Sequence, residues 1–85
     1  MAEYKLEQYI RDTLVKITGN DKYYSIDIMD NLLMMGINAR QLTYLYFFVQ
    51  EYADVKFNIN DIRNYSFINI YNIVLYTTQC KERCM

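Results

Sequence analysis

Few side chains in this 85-residue chain are of types that do chemistry, and their spacing limits what that chemistry can be. Cys80 and Cys84 stand four apart, a spacing that would suit half of a metal site or a reactive thiol pair. The chain has no histidine and no second cysteine pair, so a zinc site lacks ligands, and a thioredoxin-type motif needs two intervening residues. Both cysteines are therefore expected to be free thiols on a frayed end. Asp27 with Asp30, and Asp54 with Asp61, are carboxylate pairs that could share acid-base work. No nucleophile, base or pocket accompanies them, and a solvated or capping role is the expectation. Met29, Met34 and Met35 could line an adaptable apolar pocket, although methionine more often fills gaps in a core. None of these groups assembles an active site, and the chain reads as a non-enzyme with no metal.

The elements that would position these residues are helical. In "EYKLEQYIRDTLVKI", Leu6, Tyr9, Ile10, Leu14 and Ile17 recur at helical spacing, and Gly19-Asn20 follows as a left-handed stop. Residues 20 to 38 carry Asp, Asn and Ser punctuation around Ile26, Ile28, Leu32, Leu33 and Ile37. They read as a long ordered loop, containing a short turn, that must pack on the core. Asn38 can cap a second helix with Leu42, Leu45, Val49 and Tyr52 on its inner stripe. Asp61 through Asn64 can form about one turn with Ile62 pointing inward. Ser66 or Asn69 starts a last helix whose inner face is Ile70, Ile73, Val74 and Thr77. "VKFNI" and "YTTQ" could be strands in isolation. No run alternates for long, however, and no Asn-Gly or Asp-Gly turn occurs. The expectation is an all-α single domain over residues 1–85, with three main helices plus a short helical turn.

Composition narrows the function classes. The chain is 53% hydrophobic with ten tyrosines and no proline, which predicts an ordered fold. A net charge of −1 from interspersed signs offers no basic stripe for a phosphate backbone, so nucleic acid is not an expected partner. No apolar run has the length of a membrane span, and "MAEYKLEQYIRD" carries charges where a secretory leader would be apolar. The expectation is a cytoplasmic monomer that does not engage membranes.

A family resemblance rests on residues 28 to 78. "DNLLMMGINARQLTYLYFFVQEY" followed by "VKFNINDIRNYSFINIYNIVLYT" resembles the acyl and peptidyl carrier proteins, in which a Leu-Leu-x-x-Gly-h-Asp-Ser segment opens the second helix. The resemblance implies a four-helix-bundle carrier fold and a serine that bears phosphopantetheine, the flexible arm that holds an acyl or aminoacyl group as a thioester. Here Leu32, Leu33, Gly36 and Ile37 keep the motif, while Asn38 stands for its aspartate and Ala39 for its serine. A phosphodiester needs a side-chain hydroxyl, which alanine lacks, and neither Ser25 nor Ser66 sits in the required context. No cofactor is therefore expected in this form; phosphopantetheine and its transferase would follow only from a serine at 39. Either a functional carrier has had its serine replaced, or the chain is a natural carrier-like protein without an arm. The chain also has a general likeness to acyl-carrier-related proteins that accompany bacterial peptide-maturation enzymes.

The resemblance further implies protein partners, namely biosynthetic or modifying enzymes that read the second helix. That helix is usually acidic in carriers. Here its flank is Arg40, Tyr44, Phe47 and Glu51, aromatic with one charge of each sign. These residues would grip a partner by apolar contact, or else Tyr44 and Phe47 close over a small core.

Overall fold

The computed structural model describes residues 2–58 and 68–83. They form three helices, α1 (Ala2–Thr18), α2 (Ala39–Ala53) and α3 (Ile70–Arg83), with a 3-10 turn at Asp21–Tyr24. No strand occurs among the described residues, and residues 40–52 are helical throughout. The turn expected at Asp61–Asn64 lies outside the described residues, as do Ile62, Ser66 and Cys84.

Leu6, Ile10 and Leu14 of α1 are buried, with Tyr9 and Ile17 half-buried beside them. The helix stops where Gly19 turns left-handed at φ 71° and donates its N–H to the Val15 carbonyl at 2.7 Å. In α3, Asn69 accepts a hydrogen bond from the Asn72 N–H at 2.8 Å and so caps the start, leaving Ile70, Ile73 and Thr77 facing the core. Tyr23 and Tyr76 are the largest fully buried side chains.

The segment between α1 and α2 is ordered because its backbone is satisfied from both sides. Arg11 of α1 pairs with Glu7 at 3.1 Å and donates to the carbonyls of Tyr23 at 3.1 Å and Ile26 at 2.8 Å. The Tyr23 hydroxyl donates to the Met35 carbonyl at 2.8 Å. Leu32 N–H donates to the Ile68 carbonyl at 2.6 Å, and Tyr71 N–H to the Ile28 carbonyl at 3.0 Å, which tie the segment to the entry of α3. Buried backbone groups left unpaired would each cost about 1–3 kcal/mol, so these bonds let Tyr23, Ile26, Leu32 and Ile37 be buried from a loop.

Three expectations need correction. Tyr52 is not on the buried stripe: it is 48% exposed, and its ring stacks on Tyr9 at 4.1 Å while Ala53 takes the inner position. Cys80 is not on a frayed end: it is 6% exposed, one turn beyond Tyr76 and Thr77 on the core face of α3. Leu33 does not pack inward with Leu32 but is exposed, since the loop turns there. The methionines form no common pocket, because Met29 and Met34 are exposed and Met35 alone packs on the core. No helix among the described residues is long and apolar enough to cross a membrane.

Candidate functional site

The approach to α2 is built from four residues. Gly36 adopts φ 108°, which L side chains rarely reach, and a Cβ there would lie 3.3 Å from the Tyr23 hydroxyl. Ile37 then drops into the core and donates its N–H to the Leu32 carbonyl at 3.0 Å. Asn38 is extended, and its side chain accepts from the Gln41 N–H at 2.8 Å. Gln41 reciprocates, its side-chain oxygen accepting from the Asn38 N–H at 2.9 Å, which completes a capping box.

Ala39 follows as the first helical residue and is exposed. The N–H groups of Ala39 and Arg40 have no partner within the helix, so this end carries partial positive charge suited to a phosphate. The nearest hydroxyl along the helix, that of Thr43, donates to the Ala39 carbonyl at 3.0 Å. It stands one turn away from position 39. Position 39 offers no side-chain oxygen for a phosphodiester, so the residues present do not fit an attached phosphopantetheine.

Beyond the cap, Arg40, Tyr44, Phe47 and Glu51 are all exposed along one face of α2. Tyr44 is 52% and Phe47 56% exposed, so neither closes over the core. Phe48, 40% exposed, and Tyr52 widen the same face, residues that the sequence reading left out of it. Their signal was present: 44, 47, 48, 51 and 52 repeat the helical period, offset from the buried Leu45, Val49 and Ala53. Phe47 and Phe48 meet edge to face at 6.1 Å. Two open grooves flank the face. One, of about 400 Å³, runs beside α1 between Tyr9, Lys16 and Phe48; the other, of about 500 Å³, lies between Phe47, Glu51 and Lys56.

The acidic residues do other work. Asp27 accepts from the Met29 N–H at 2.8 Å and Asp30 from the Asp27 N–H at 2.9 Å, so this pair caps a turn as expected. Asp54 ends α2 in a left-handed conformation at φ 56°, and Asp61 is outside the described residues. Among the described residues, no three His, Cys, Asp or Glu side chains group together as metal ligands. Burial pushes the Tyr46 hydroxyl well above its ordinary range, so it keeps its proton. Comparison of the chain with protein-family models, with curated proteins and with solved structures finds no match.

Proposed function

We propose that this chain is an acyl-carrier-like protein that bears no phosphopantetheine arm and acts by docking to protein partners. The observation that carries the reading is Ala39: an exposed methyl at the first position of a capped helix, entered through a glycine at positive φ. The reading is supported by the motif residues Leu32 and Ile37, which are buried, and by Gly36, which turns the chain at positive φ just before the helix. Partners of the cytoplasmic biosynthetic or peptide-maturation class suit a helix that presents aromatic surface beside that position. A second reading, a scaffold or regulatory module that never bore an arm, is favoured by the same aromatic face, which lacks the acidic run of a working carrier.

Incubation with coenzyme A and a broad-specificity phosphopantetheinyl transferase, read by intact mass, tests both. The chain itself should gain no mass, and Ala39→Ser should gain one phosphopantetheine group. A folded but unmodified Ala39→Ser protein would favour the scaffold reading. Modification of the unaltered chain would overturn the placement of the attachment position at 39.

A further inference from the structure

The charges on α2 are set against their own helix. Arg40 lies in the first turn, where the unpaired N–H groups are positive, and Glu51 in the last turn, where the free carbonyls are negative; the first turn has no acid and the last no base. Each arrangement costs stability in an isolated helix. Among the described residues neither side chain forms an ion pair. Between them stands the exposed aromatic face, so α2 is apolar on both its inner and outer sides, a pattern that belongs to a helix with neighbours on both.

Residues 40, 44, 47 and 51 are spaced four, three and four, which is the seam of a helix pair. The seam is also palindromic in character. Laid against a second, antiparallel copy of itself about the midpoint between Tyr44 and Phe47, it sets Arg40 opposite Glu51 twice, with two Tyr44–Phe47 layers between. Each misplaced charge then gains an opposite partner and the favourable end of the neighbouring helix dipole. We infer that the outer face of α2 is a homodimer interface in which two copies pair antiparallel, Arg40 of one against Glu51 of the other.

The size is that of a modest dimer. Half of the area of four aromatic side chains is about 300–500 Å² per copy, taking about 150–250 Å² for each. With the stems of Arg40 and Glu51 added, the two copies together approach about 1,200 Å², the lower bound for specific association. The inference departs from the monomer expected from sequence. It rests on reading this face as a docking surface and is independent of Ala39, so its failure and that of the carrier reading are told apart by separate measurements.

Sedimentation equilibrium of the full chain, from about 1 µM to about 1 mM, tests it across the range in which so small an interface associates. The unaltered chain should reach the mass of a dimer. Arg40→Glu and Glu51→Arg should each raise the dissociation constant tenfold or more, because each sets like charges opposite one another twice. An equimolar mixture of the two variants should dimerise again, since every facing pair is then opposite in sign. Arg40 and Glu51 of one chain are about 16 Å apart along the helix, too far for rescue within a chain. Both substitutions also agree better with the dipole of α2, so loss of association is not a folding defect, and unchanged helical circular dichroism checks this. A chain monomeric at every concentration overturns the inference, as do single variants that dimerise like the parent or a mixture no tighter than its components. A monomer that binds a different protein through Phe47 also overturns it.

Discussion

Two glycines separate two ways in which a single residue can be required. Gly19 and Gly36 both hold positive φ, but a Cβ at Gly19 would meet nothing within 4 Å, whereas at Gly36 it would press on the Tyr23 hydroxyl. Gly19→Ala therefore costs only the left-handed penalty, about 1–2 kcal/mol. Gly36→Ala adds steric displacement of Tyr23, whose hydroxyl is bonded to the Met35 carbonyl, and its φ of 108° lies beyond the left-handed well. The total should be about 2–4 kcal/mol, the strain and part of one hydrogen bond together. Urea denaturation of the two variants checks the order. A Gly36→Ala protein no less stable than Gly19→Ala would mean that the tyrosine yields without loss.

At the scale of elements, the capping box makes α2 the sharpest local prediction. Asn38→Ala should cost about 1 kcal/mol by leaving the Gln41 N–H without its acceptor. Asn38→Asp keeps the acceptor and adds a negative charge at a helix start that has none, which should stabilise by about 0.3–1 kcal/mol. Thermal midpoints moving in opposite directions are the expected outcome; a fall in both would mean that the cap depends on the amide itself. This cap, the Gly19 stop and the inner faces of α1 and α3 were legible in the sequence because each depends on residues within one or two turns. The loop anchors were not. Arg11 reads as an ordinary helix charge, and nothing local shows that its guanidinium crosses to the carbonyls of Tyr23 and Ile26. Tyr52 was misplaced because both faces of α2 are apolar, so periodicity gives the spacing without saying which stripe faces in. Cys80 was legible but overlooked, since 73, 76, 77 and 80 continue one helical face. For the candidate site, the motif led to Gly36, Asn38 and Ala39, while Phe48 joined the exposed face only through its geometry.

Across the whole molecule, aromatic hydroxyls do part of the closing of a small core, and this gives stability a pH dependence in an unusual range. The chain has no histidine, so no imidazole titrates near neutrality. Tyr23 is buried against Gly36 and Met35, and Tyr46 is half-buried with its ring edge-on to Phe57 at 6.4 Å; burial raises both hydroxyls above their ordinary value of 10. In the folded chain both therefore keep their protons beyond the point at which the unfolded chain has begun to lose them. The unfolded state binds fewer protons there, so the free energy of unfolding falls as pH rises. Their contribution is fully present below about pH 9 and is lost upward from about pH 10, the unfolded tyrosine value. Urea midpoints measured at about pH 8, 10 and 11 should fall across the last interval. Tyr23→Phe isolates the contribution of one group. It should cost about 1 kcal/mol at pH 8 by leaving the Met35 carbonyl without its donor, yet lose less than the parent between pH 10 and 11. A variant whose alkaline loss equals that of the parent would show that Tyr23 is not one of the groups through which the fold responds to high pH.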